Sequence, residues 1–132
     1  GWPSWSPNGD RFVTIVQPFD TLLFSDLFIV DSQGAMTRLT YTAHHDQYPC
    51  WSPTGEWIAF AHDTNVNLIR PDGSDLHTLP IDLQSDYPAG WSPDGRYLLI
   101  IVPPRYLIPN ELWVYDLQTS NYWRIAQSLD LP

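Results

Sequence analysis

The segments Trp5-Ser6-Pro7-Asn8-Gly9, Trp51-Ser52-Pro53-Thr54-Gly55 and Trp91-Ser92-Pro93-Asp94-Gly95 are one motif written three times, with the tryptophans 46 and 40 residues apart. An internal period of this kind confines a chain to architectures made of equivalent units, each burying its apolar face against the next. The residues after each tryptophan have a mechanical purpose. Proline presets φ for the first turn position, Asn8, Thr54 or Asp94 takes the second, and glycine accepts the positive φ at the exit. The result is a tight type I turn with a glycine bulge, which joins the strands of a β-hairpin.

Four strand signals recur in each repeat. They cover 2–6, 48–52 and 87–92; then 11–17, 57–62 and 96–102; then 26–31, 65–70 and 111–116; and last 35–40, 75–79 and 121–125. All are short, rich in β-branched and aromatic residues, and alternate inward with outward side chains. Short hairpins at Ser32-Gln33-Gly34, Pro71-Asp72-Gly73 and Gln118-Thr119-Ser120 join the third and fourth signals. Four strands in a period of roughly 40 to 45 residues make a β-propeller blade. The expected fold is all-β: one unit over 1–132 with three four-stranded antiparallel blades, at 1–46, 47–85 and 86–132. Trp5, Trp51 and Trp91 are expected to wedge between blades. Pro7, Gly9, Pro53, Gly55, Pro93 and Gly95 are expected to shape the turns.

Composition narrows the function. Seven Trp and thirteen Pro in 132 residues fit short, turn-punctuated strands. A net charge of −9, with six Lys and Arg scattered singly, offers no basic stripe for nucleic acid. No apolar run approaches the ~20 residues of a membrane-spanning helix. Cys50 is the single cysteine, so no intrachain disulfide can form. It falls on the innermost strand, where Ser4 and Ala89 or Gly90 stand in the other repeats, and is read as packing rather than as a nucleophile.

The repeats resemble the TolB-type, WD-like propeller repeat: Pro-x-Trp-Ser-Pro-Asp-Gly, an apolar strand, a strand ending in Asp, a Gly turn, and Leu-Thr. The resemblance rests on Pro3 to Gly9, Asp31 to Gly34 and Arg38-Leu39-Thr40 in the first repeat. In the second it rests on Pro49 to Gly55, Ile58-Ala59-Phe60 and Pro71-Asp72-Gly73, and in the third on Trp91 to Gly95, Tyr97-Leu98-Leu99 and Trp113 to Asp116. Two departures are local. Ala89-Gly90 is read as one residue added before Trp91, forming a bulge, and the last hairpin of the third repeat lacks glycine. The resemblance implies a non-catalytic module binding a protein or peptide, with a bacterial periplasmic or extracellular location. Such propellers also gate serine peptidases, but the chain shows no hydrolase signature.

Three blades do not close a ring. If each end leaves roughly 500 Å² of apolar surface bare, the forgone stabilisation is on the order of 10 kcal/mol per end. Asp130-Leu131-Pro132 matches Asp86-Tyr87-Pro88, as if a fourth blade were about to begin. The expectation is a homodimer whose two copies complete a six-bladed ring, with a fragment of a larger TolB-like propeller as the alternative.

Loops joining second to third strands, and blade to blade, are the longer and chemically richer set. Phe19, Leu22, Leu23, Phe24, His44, His45, Tyr106, Leu107 and Ile108 are therefore the candidate partner-binding residues, since apolar loops need a burial partner. His44-His45-Asp46 reads as a solvated loop: adjacent histidines fix no geometry, and the spacing supplies no third ligand. Asp72-Gly73-Ser74-Asp75 lacks the ligand spacing of a calcium loop and reads as a hairpin turn. No cofactor, metal or catalytic group is expected.

Overall fold

The computed structural model describes residues 2–20, 23–83, 86–106 and 109–127. Three four-stranded antiparallel sheets follow one another along the chain. The first contains β1 (Ser4–Trp5), β2 (Arg11–Val16), β3 (Asp26–Asp31) and β4 (Met36–Arg38). The second contains β5 (Asp46–Trp51), β6 (Ile58–His62), β7 (Asn65–Ile69) and β8 (His77–Thr78). The third contains β9 (Tyr87–Trp91), β10 (Tyr97–Val102), β11 (Glu111–Asp116) and β12 (Tyr122–Gln127). Each strand pairs with its sequence neighbours, so every sheet is a meander. Strand β5 touches both β1 and β9, which gathers the first strands of the three blades together.

The repeated turn forms as its residues dictate. The amide of Gly9 donates to Ser6 O at 2.9 Å, Gly55 to Ser52 O at 3.0 Å and Gly95 to Ser92 O at 2.9 Å. Their φ values are 73°, 79° and 73°, in the left-handed region. At Gly95 there is a second constraint, because a Cβ there would sit 2.7 Å from Thr54 Cγ2. The turns of blades 2 and 3 therefore stack closely. The motif serine closes the hairpin: Ser52 Oγ accepts from Trp57 N at 3.1 Å and Ser92 Oγ from Tyr97 N at 2.9 Å. In the last hairpin Ser120 takes the left-handed conformation, φ 60°, that glycine holds at Gly34 and Gly73.

Two apolar clusters hold the blades together. Val13, Leu27, Ile29 and Leu39 of blade 1 meet Trp51, Ile58, Phe60 and Ile69 of blade 2. Ala59, Val66, Leu68 and Leu79 of blade 2 meet Leu98, Ile100 and Tyr115 of blade 3. Alternation therefore sends Ile58 and Phe60 one way and Ala59 the other. The middle blade is buried on both faces. The outer blades are buried on one: Phe12, Phe28 and Val30 of blade 1, and Leu99, Ile101, Leu112 and Val114 of blade 3, stay only half-buried.

The motif tryptophans differ in their surroundings. Trp51 is 6% exposed, within the first cluster, and Arg11 lies over its ring at 5.2 Å. Trp91 packs on the second cluster and donates from Nε1 to Cys50 O at 3.0 Å. Trp5, with no blade before it in the structure, is 60% exposed. The bulge expected at Ala89-Gly90 is present, since Leu99 pairs with Gly90 and Ile100 with Pro88, leaving Ala89 unpaired. It adds no length relative to blade 2, because Asp46 to Trp51 and Asp86 to Trp91 have the same length. The register shifts in both inner strands, between Gln47 and Cys50 and opposite Leu99 and Ile100. What differs is the place of the proline, at Pro49 and Pro88. Asp130, Leu131 and Pro132 lie outside the described residues.

Candidate functional site on the loop face

The β2–β3 connection of blade 1 and the chain leaving β4 meet on the loop face around a recess of about 820 Å³. Phe19, Leu23, Phe24, Tyr41 and Ala43 give it apolar walls, and Asp20, Arg38 and Thr42 supply the polar ones. Phe19 is 99% exposed and Tyr41 73%, so their rings stand in water. Arg38 organises this side of the blade. It projects from the end of β4, stacks on Tyr41 at 4.5 Å, and donates to Asp20 Oδ2 at 2.9 Å. Its Nε also donates to Asp26 Oδ2 at 2.9 Å. The bond to Arg38 holds the carboxyl of Asp20 below its ordinary range.

Beneath the recess lies a polar network. Asp26 is fully buried at the start of β3, where Thr42 N donates to its Oδ1 at 3.2 Å. Thr40 Oγ accepts from Leu27 N at 2.9 Å and donates to Asp46 Oδ2 at 2.6 Å. His62 Nδ1 lies 2.7 Å from Asp46 Oδ1. Burial pushes the Asp46 carboxyl up, against the bonds from Thr40 and His62. Asp46 is fully buried, so it is not part of a solvated loop. The reading of His44-His45-Asp46 as such a loop is corrected there, because Asp46 begins β5 and ties blade 1 to blade 2.

The predicted partner-binding residues divide into three groups. Phe19, Leu23 and Phe24 line the recess, and His44 and His45 adjoin it through ring contacts with Phe24 at 6.5 and 5.5 Å. Tyr106 is exposed on the β10–β11 connection of blade 3 and does not line the recess. Leu22, Leu107 and Ile108 lie outside the described residues. The sequence does not mark Arg38 and Tyr41 as site residues or Asp26, Asp46 and Asp86 as buried, although the Asp five residues before Trp51 and Trp91 recurs there.

No family model matches the chain. An uncharacterised protein of Agrobacterium fabrum is 29% identical over 105 residues, covering 76% of this chain and 35% of that protein. A solved structure assigned as TolB from Agrobacterium tumefaciens superposes with a TM-score of 0.78 at 26% identity, over 93% of this chain and 47% of that one. TolB from Acinetobacter baumannii gives 0.79 at 16% identity, over 95% and 32%. The three sheets are β-propeller blades, similar in fold to those of these TolB structures. The chain spans less than half the length of each of these relatives.

On the opposite face, blades 2 and 3 enclose a smaller cleft of about 480 Å³ that includes Trp57, His77, Arg96 and Tyr115. Arg96 is held there by Asp116, whose carboxyl it draws down to about 2. Burial pushes the Cys50 thiol up, away from the reactive thiolate. No helix among the described residues is long and apolar enough to cross a membrane.

Asp86 is the counterpart of Asp46 in the third blade, but it lacks that residue's partners. Pro80 stands where Leu39-Thr40 supplies the hydroxyl, and Val102 ends β10 where His62 ends β6. Asp86 is 2% exposed, and neither carboxylate oxygen finds a hydrogen-bond partner among the described residues. Burial raises its pKa to about 6, with Arg105 opposing. A raised carboxyl pKa means that the native state binds the proton more tightly than the unfolded chain, so stability falls as pH rises between about 4 and about 6. Asp86→Asn should therefore stabilise the protein by on the order of 1–2 kcal/mol at pH 7.5. At pH 4 the gain should vanish, and urea midpoints at the two pH values would check both halves.

Proposed function

We propose that the chain is a non-catalytic module of a TolB-like propeller that binds a protein or peptide partner in the loop-face recess. The observation that carries this reading is the exposed aromatic rim, Phe19 and Tyr41, around a concave apolar wall crossed by the Arg38–Asp20 pair. Exposed aromatics around a recess, with one fixed charge pair to set orientation, have the make-up of an interaction site. The TolB likeness supports an exported, periplasmic setting. Gating a peptidase in a larger polypeptide would use the same blades.

Peptides selected from a random display library against the chain test the binding reading. Phe19→Ala/Tyr41→Ala should weaken the selected peptides at least about tenfold, because exposed aromatics at recesses carry much of the affinity in such contacts. Trp5→Ser, on the end face, should leave binding unchanged. Peptides that bind both variants equally would defeat the assignment to this recess, and turnover in a screen of hydrolase and lyase substrates would defeat the non-catalytic part.

A second reading concerns ring closure. The middle blade is buried on both faces, whereas Trp5, Phe12 and Phe28 at one end and Leu99, Leu112 and Trp123 at the other are not. We infer that a second copy of the chain covers these faces, the two together making six blades. Light scattering at micromolar concentration should then give twice the chain mass. A stable folded monomer would overturn the homodimer and favour further blades in the same polypeptide.

A further inference from the structure

Three side chains outside the recess converge where the chain enters blade 2. His44 comes from the link between blades, His62 from the end of β6, and Asp63 from the β6–β7 turn. One ligand atom of each lies within 4.8 Å of the others. His44 Nδ1 and Asp63 Oδ2 are 2.5 Å apart, and the rings of His44 and His62 meet edge to face at 5.1 Å. Donor atoms around a tetrahedral zinc, at the usual ~2.0–2.1 Å from the ion, stand about 3.3 Å from one another, so modest side-chain rotation would bring these into register.

The arrangement is supported in two ways that surface charge does not require. His62 Nδ1 faces Oδ1 of the buried Asp46 at 2.7 Å. That contact fixes the ring and engages Nδ1, so Nε2 is the nitrogen left to meet an ion. A carboxylate behind a histidine is the outer-shell partner that metal-binding imidazoles regularly have. Asp63 is held as well. Its backbone adopts φ 52°, its amide donates to His45 O at 3.0 Å, and its Oδ1 accepts from His45 N at 3.4 Å. That leaves Oδ2 turned toward His44.

From this convergence we propose that His44, His62 and Asp63 bind a divalent transition-metal ion, zinc foremost. Two imidazoles and one carboxylate match the borderline-soft preference of zinc, and oxygen-seeking calcium or magnesium would find too few oxygens. The side chains of His44 and Asp63 are 55% and 42% exposed, so an ion has a path in and keeps at least one position open to water or to an anionic ligand. The proposal is independent of the peptide-binding reading. Sequence spacing around His44-His45 could not suggest it, because two of the three ligands lie on the next hairpin.

The competing account is an ordinary surface pair between a protonated His44 and Asp63. Calorimetric titration of the untagged chain, stripped with a chelator, with zinc chloride at pH 7.5 separates the two. One ion per chain at micromolar or tighter affinity is expected, unchanged by millimolar magnesium, with cobalt giving the visible spectrum of a low-symmetry nitrogen–oxygen site. His44→Ala and Asp63→Asn, both at exposed positions, should each weaken binding at least tenfold without altering the circular dichroism. Asp46→Asn, which keeps the shape behind His62, should weaken it about 10–100-fold. No saturable binding, or binding that survives both His44→Ala and Asp63→Asn, would overturn the site.

Discussion

Trp51→Ala should lower the unfolding free energy by about 3–5 kcal/mol, the usual cost of deleting a buried large aromatic. Trp5→Ala, at the same place in the repeat, should cost less than about 1 kcal/mol when measured on the isolated chain. The two tryptophans share a sequence context and a turn, so propensity cannot separate them. Burial does: 6% of Trp51 is exposed against 60% of Trp5. Trp51 fills the space between Val13, Leu27 and Leu39 of one blade and Ile58 and Phe60 of the next. Its removal opens a cavity in the cluster that joins the two sheets, and a loss of that size is a large part of a small domain's stability. Urea unfolding of both variants at low protein concentration gives the comparison directly. Equal losses would mean that the tryptophan serves its own turn and not the contact between blades. A Trp5→Ala cost that grows with protein concentration would place Trp5 in a contact between copies.

The fold was legible because the repeat is redundant. Three versions of Trp-Ser-Pro-x-Gly, each followed by strands of period two, place all twelve strands within a few residues of their observed bounds; β3 and β11 match at both ends. The recess was legible in part. Phe19, Leu23 and Phe24 announce themselves as apolar residues in a loop, whereas Arg38 and Tyr41 belong to a closing strand and its exit, where nothing local marks them. The buried aspartates were harder still. Asp26, Asp46 and Asp86 are acidic residues beside loops, which ordinarily means solvent, and their burial follows from how blades pack rather than from neighbouring sequence. Comparing repeats carries that information: Thr40 and His62 serve Asp46, and Pro80 and Val102 stand in their places beside Asp86. Pairings across blades, such as His44 with His62 and Asp63, require the third dimension.

Arg38→Met should cost about 3–5 kcal/mol, because it strips the partner from a carboxylate that cannot reach water. Asp26 is fully buried and Arg38 is 16% exposed, so the pair sits inside the protein while Arg38 reaches Asp20 at the surface. Methionine keeps much of the length and apolar contact of the arginine stem, so the loss reports the charge rather than a cavity. The variant leaves Asp26 with the contacts from Thr40 and Thr42, all on Oδ1, and without a counter-charge. Adding Asp26→Asn should restore a substantial part of the loss at pH 7, since an amide in that place is costly to bury but not charged. Urea midpoints for the two single variants and the double variant at pH 7 complete the cycle. A double variant no more stable than Arg38→Met would show that Arg38 acts through Tyr41 and Asp20 instead. Arg38→Lys separates these roles further. A lysine keeps the charge beside Asp26 but cannot span Asp26 and Asp20 with a planar fork while stacking on Tyr41. It should therefore retain most of the stability and lose the rigid wall that the recess offers a partner.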